Sequence, residues 1–125
     1  MEKFKTRYNK LNSAQKEAVD TIDGPLLVVA GPGTGKTELL SMRAANILRA
    51  TDTLPENILC LTFTDSGANA MRARLASIIG TDAYKVAIQT FHSFGTEIIN
   101  HHSEYFYRGA DFSPADEVEI GRAHV

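Results

Sequence analysis

Between residues 30 and 37 the chain reads Ala30-Gly31-Pro32-Gly33-Thr34-Gly35-Lys36-Thr37, three alternating glycines followed by a lysine and a hydroxyl. Those types in that order suit a crowded polyanion. Glycines at 31, 33 and 35 let the backbone turn its N–H groups onto phosphate oxygens, because glycine adopts the required dihedrals without steric penalty. A helix starting at Lys36 adds unpaired N–H groups and the positive end of its dipole. Lys36 is then placed to reach the β- and γ-phosphates of a nucleoside triphosphate, and Thr37 to offer its hydroxyl to Mg²⁺. The general pattern opens with glycine, and Ala30 stands here as a small-residue variant. The plainer reading is a glycine-rich turn that only joins a strand to a helix. Gly35-Lys36-Thr37 at a helix start argues against it.

Such a loop works only if a strand delivers it and a helix leaves it. Residues 26–30 are wholly apolar, which predicts a short central parallel strand buried on both faces. From Lys36 to about Ala50 the apolar residues Leu39, Leu40, Ala44, Ile47 and Leu48 recur at helical spacing. Two further strand-helix units are expected. Residues 58–63 are followed by a helix over 68–79 carrying Met71, Leu75 and Ile78, and residues 86–88 by a helix from Phe91 to about His101 carrying Phe94, Ile98 and Ile99. Upstream, Asn12 is placed to cap a helix, with Gln15 three residues later in capping-box position and Leu11 set for a hydrophobic staple. Alternating strands and helices predict an open α/β sheet, paired in parallel, with helices on both faces. Beyond residue 103 the pattern weakens to the aromatic patch Tyr105, Phe106 and Tyr107, then a helix start at Ser113-Pro114.

A chain of 125 residues corresponds to about one domain. Its 43% hydrophobic and 22% charged residues describe an ordinary soluble globular protein. A net charge of -2 gives no global pull toward nucleic acid or acidic membranes, leaving any such binding to local patches. The apolar runs are too short to span a bilayer and the N-terminus lacks a signal-peptide core, so a cytosolic protein is expected. Cys60 is the single cysteine, which excludes an internal disulfide and makes it a small core residue.

Taken in order, Leu11-Asn12-x-x-Gln15, residues 30–37, Leu61-Thr62-Phe63-Thr64 and Thr90-Phe91-His92-Ser93-Phe94 resemble the start of a UvrD/Rep-type superfamily 1 DNA helicase over about residues 8–117. The resemblance implies the fold of a RecA-like P-loop NTPase, with ATP and Mg²⁺ as cofactors and single-stranded DNA as partner. It implies that Gln15 reads the adenine edge, and that Thr62, Phe63 and Thr64 lie along the DNA path with Phe91 and His92 nearby. Aromatic faces at strand ends suit that task, since they stack on bases of any sequence; the plainer reading makes Phe63 and Phe91 core residues, and Gln15 a cap alone. Two departures stand out. Asp65-Ser66 replaces an Asn-Lys pair, removing a cation from the DNA path, for which Arg72 and Arg74 are candidate substitutes. Glu38 replaces an arginine that packs on the base.

Hydrolysis needs paired carboxylates at a strand end and arginines for the transition state. Asp116-Glu117 fails on context, since Ser113-Pro114-Ala115 precedes it rather than an apolar strand. The expectation is therefore an incomplete nucleotide-binding domain over residues 1–119, able to bind nucleotide and not to unwind DNA. Residues 120–125 can be encoded by ATC GGA AGA GCA CAC GTC before a TGA stop, a string that matches a common sequencing adapter. They are expected to be a non-native tail. The other readings are a non-catalytic nucleotide- or DNA-binding module, or another P-loop NTPase such as a small kinase.

Overall fold

The computed structural model describes residues 2–30 and 35–106. Gly31, Pro32, Gly33 and Thr34, the helix start at Ser113-Pro114, Asp116-Glu117 and the expected tail lie outside the described residues. Among the described residues five helices and two strands follow one another: α1 (Glu2–Asn9), α2 (Ser13–Asp20), α3 (Lys36–Ala50), β1 (Leu59–Thr62), α4 (Asp65–Ile79), β2 (Ala87–Thr90) and α5 (Phe91–His101). Short 3-10 turns fall at Pro55–Asn57, Gly80–Lys85 and Ser103–Tyr105. The two strands pair in parallel, Leu59 with Ala87 through Thr62 with Thr90, and α4 makes the crossover between them. This is an α/β arrangement with a smaller sheet than expected among the described residues.

Helix α3 is the seat of the core. Met42 and Ala45 are fully buried, against Val19 of α2 and Met71 and Leu75 of α4 in one apolar cluster. Ser41, Arg43 and Asn46 on α3 are polar side chains that are buried or half-buried, and each is hydrogen-bonded, Ser41 within α3 itself. Asn46 donates from Nδ2 to the Val19 carbonyl at 3.0 Å, and Arg43 donates from Nε and Nη2 to the Thr21 carbonyl at 3.1 and 2.9 Å. Those carbonyls belong to the last turn and C-cap of α2, where helical partners run out. The capping box at the other end of α2 is present as expected: Asn12 accepts from the Gln15 N–H, and Gln15 accepts from the Asn12 N–H.

Helix α1 has no apolar periodicity that announces it in the sequence. It is held from outside. Phe4 is its one buried residue, with the Arg49 guanidinium 4.6 Å from its ring centroid. Tyr8 donates its hydroxyl to Asp20 at 2.7 Å, a bond that pushes the phenol pKa up. Glu38, in the first turn of α3, ties three helices together, pairing with Arg7 of α1 at 3.4 Å and Arg74 of α4 at 3.0 Å.

The segment 26–30 is not the buried central strand that its composition predicts. It has no strand assignment, and it is not among the hydrogen-bonded strands of the sheet. Its side chains nevertheless alternate. Leu26 and Val28 are 38% and 45% exposed and line a cleft with Ala18 and Leu39, whereas Leu27 and Val29 are 87% and 90% exposed. Period-two alternation is strand-like geometry, but a strand exists through pairing, and no described strand lies beside this one. An apolar run reports what the backbone can enter. It does not supply the neighbour.

Two measurements check this packing. Met42→Ala is expected to lower the unfolding free energy by about 2–5 kcal/mol, whereas Val29→Ala changes it by less than about 0.5 kcal/mol, read from urea melts; equal losses would restore segment 26–30 to the core. Glu38→Gln is expected to cost about 1 kcal/mol at low salt, with the difference shrinking in 1 M NaCl as screening removes the ion pairs.

Candidate functional site

The N-terminus of α3 has no side-chain cap. Gly35 is its N-cap, at φ 80 and ψ 34, a left-handed conformation that side chains resist. The first N–H groups of α3 therefore lack the usual side-chain acceptor. Lys36 is exposed there, and among the described residues no carboxylate pairs with it. The next residue, Thr37, has its carbonyl taken by the Ser41 hydroxyl at 2.7 Å, while no bond from its own hydroxyl is found among the described residues. Backbone donors, a cation and a hydroxyl without partners among the described residues are the donor set that phosphate oxygens with a hard divalent cation require.

Lys36 and Gln15 line the same cleft, of about 280 Å³, together with Asn12, Ala14, Ala30 and Leu39 and the flank of residues 28–29. Gln15 and Lys36, both expected on one ligand, stand 21 positions apart in the chain and share this cleft. The Arg43 and Asn46 bonds to the end of α2 are what bring the two helices together. Glu38 does not face this cleft; its carboxylate is committed to Arg7 and Arg74 on the other side of α3.

A second cluster forms where the two strands end. The ladder closes at Thr62 opposite Thr90, so Phe63 and Phe91 are the residues that follow the two strands. Parallel neighbours run about 4.8 Å apart, and the two rings meet with centroids at 5.1 Å and planes at 39°. Phe63 is 90% exposed and Phe91 50%, so neither is the core residue that the plainer reading made them. Together they form an open aromatic platform. The signal in the sequence was the dipeptide Thr-Phe, present at the end of both strands.

The threonines around the platform serve the backbone. Thr64 caps α4 by accepting from the Gly67 N–H at 3.0 Å, Thr62 donates its hydroxyl to the Thr64 carbonyl, and Thr90 caps α5 by accepting from the Ser93 N–H. A Cβ on Gly67 would stand 3.0 Å from Thr64 Oγ1, so only glycine lets this cap close without a shift. Two helix N-termini thus open beside the rings. His92 is exposed on the first turn of α5. Asp65 opens α4 where its charge favours the dipole. The two arginines considered as substitutes for a missing cation are otherwise engaged: Arg72 donates to the Ile88 carbonyl at 2.9 Å, and Arg74 pairs with Glu38.

Other expectations resolve simply. Cys60 sits half-buried in β1, and burial pushes its thiol pKa up, away from reactivity. No described helix is long and apolar enough to cross a membrane.

Comparison with known proteins adds the following. The sequence profile described as the UvrD/REP helicase N-terminal domain matches residues 11–124. The chain is 45% identical to the ATP-dependent DNA helicase PcrA of Staphylococcus epidermidis over 89 residues, 71% of this chain and 12% of that protein. It is 40% identical to the protein of the same name from Bacillus subtilis over 109 residues, 87% of this chain and 15% of that one. For Staphylococcus aureus the figures are 42% over 91 residues, 73% and 12%. The chain therefore spans about an eighth of the length of these relatives.

Proposed function

The chain belongs to the UvrD/REP helicase N-terminal domain family, and from that premise we propose that it is the ATP-binding segment of an ATP-dependent DNA helicase that moves 3′ to 5′ along single-stranded DNA. The observation that carries the reading is the shared cleft of Gln15 and Lys36 at the uncapped start of α3. In this reading the loop over Gly31, Pro32, Gly33, Thr34 and Gly35 wraps the phosphates, and Lys36 neutralises the terminal charge. Thr37 is the residue that would hold Mg²⁺ through its hydroxyl, and the ion would supply charge neutralisation at the phosphates. Gln15 meets the base, with Ala30 on the cleft wall between them. The domain is a nucleotide-binding unit over residues 1–119.

Single-stranded DNA lies, in the same reading, across Phe63 and Phe91. Bases stack on the rings without regard to sequence, and the uncommitted N–H groups at the starts of α4 and α5 face the backbone phosphates. Thr62 and Thr64 act by holding α4 in place, and His92 borders the path. Asp65 repels phosphate there, so contact through this loop is weak. The chain by itself binds nucleotide without unwinding: β1 and β2 end on Thr62 and Thr90, and neither carries the paired carboxylates that hydrolysis needs.

Two binding experiments test the proposal. Lys36→Ala is expected to weaken binding of a fluorescent ATP analogue with Mg²⁺ by about tenfold or more, since it removes a charge-assisted contact; equal binding by both proteins would remove the phosphate-loop assignment. Phe63→Ala is expected to reduce affinity for an oligo-dT strand about five- to hundredfold in fluorescence anisotropy, the effect of losing one stacked base. Asp65→Asn should raise that affinity and steepen its salt dependence. A Phe63→Ala protein that binds DNA as the parent does sinks the platform.

A further inference from the structure

Helix α1 carries more positive charge than its own stability asks for. Residues 2–16 hold Lys3, Lys5, Arg7, Lys10 and Lys16 against the single carboxylate of Glu2, so a chain of net charge -2 is acidic over the remainder taken together. Lys3 stands in the first turn of α1, where a cation opposes the helix dipole, and lies one turn from Arg7, a like-charge neighbour that weakens a helix. Lys3, Lys5 and Lys10 are exposed and make no ion pair among the described residues. Charge set against its own helix points to a partner outside it.

These cations are sorted by face. Lys3, Arg7 and Lys10 are spaced four and three apart, along one side of a helix, and the Lys10 N–H bond to the Arg7 carbonyl at 3.1 Å carries that side one residue past α1. Arg7 marks where this side leads. With Glu38, Arg74, Ala70, Ala73 and Ser77 it lines an open groove of about 440 Å³. The alanines and the serine are small and leave the floor clear. Glu38 orients both arginines, yet it engages only Nη1 of each. The other nitrogens of both guanidinium groups make no hydrogen bond among the described residues, and two cations on one carboxylate leave the groove positive.

We propose that this groove, flanked by Lys3 and Lys10, seats the phosphate backbone of duplex DNA and is separate from the aromatic platform. A duplex is favoured over a single strand because the groove offers cations and a hydroxyl but no aromatic face, so an unpaired base has nothing to stack on. A duplex keeps its bases inside and presents about one charge per 1.7 Å of axis, while Lys3 to Lys10 spans about 10 Å of helix and so meets several of those charges. The ion pair that withdraws Arg74 from the platform places it here. This surface goes beyond the proposed nucleotide and single-strand sites and uses none of their residues.

Binding of a blunt-ended DNA duplex to the whole chain, read by fluorescence anisotropy over a series of NaCl concentrations, tests the assignment. Lys3, Arg7, Lys10 and Arg74 predict a plot of log affinity against log salt with a slope of about -3. Lys3→Gln and Lys10→Gln are each expected to lower affinity about five- to tenfold and to flatten the slope by about one. Lys5→Gln removes the same charge from another side of the same helix, and is expected to change affinity less than about twofold. All three lysines are exposed and unpaired, so folding stability barely enters the comparison. Duplex affinity in Phe63→Ala is expected to stay within about twofold of the parent, which separates the groove from the platform.

A parent chain that does not bind the duplex overturns the proposal. Equal losses in Lys3→Gln and Lys5→Gln do the same, since they mark general attraction to a basic chain end. Binding to acidic phospholipid vesicles in place of the duplex assigns the groove to a membrane surface, and overturns it too. None of these outcomes touches the nucleotide cleft, which Lys36→Ala tests separately.

Discussion

The described structure depends on how α3 is seated. Its inward face is apolar at Met42 and Ala45 and polar at Asn46, and the polar atoms are spent on main-chain carbonyls at the end of α2. Leaving those carbonyls buried and unmet costs about 1–3 kcal/mol each, comparable to the loss of a core side chain. The Arg43 and Asn46 bonds therefore do more than stabilise. They fix the position of α2 relative to α3, and with it the distance between Gln15 and Lys36. On the far side, Glu38 draws in α1 and α4 through two arginines, so the first turn of α3 is anchored on both.

Much of this was legible in the residues. Helix α3 and helix α5 fall where their periodicity places them, and Asn12 and Gln15 make the capping box that their spacing announces. Helix α4 begins earlier than its apolar pattern, at Asp65, because Thr64 caps it, and a cap leaves no trace in hydrophobic spacing. The strands are a residue or more adrift of expectation at their ends, since pairing rather than composition sets strand length. Helix α1 was illegible for a related reason: its helicity is supported by Phe4 beneath Arg49 and by Tyr8 on Asp20, partners that lie 45 and 12 positions away.

The candidate site divides along the same line. Lys36 and Thr37 stand out from local chemistry and Gln15 from the resemblance, and the structure sets Gln15 and Lys36 on one cleft. The fates of Arg72, Arg74 and Glu38 could not be read in that way, since each is decided by a partner on another element. Residues 26–30 are the instructive failure. Their composition specifies an extended, apolar segment, and the alternation of exposure from Leu26 to Val29 shows that much. What composition leaves open is the identity of the strand alongside.

The junctions at the strand ends have a mechanical meaning. The last residue of β2, Thr90, is itself the N-cap of α5, and Thr64, two residues past β1, caps α4. There is no slack between sheet and helix at either place. The spacing of the two rings is thus set by the register of the sheet, which acts as a ruler graduated in steps of about 3.3 Å. A slip of one step would carry one phenylalanine out of reach of the other and turn it to the opposite face. Whatever lies across the rings is measured against hydrogen bonds that it never touches.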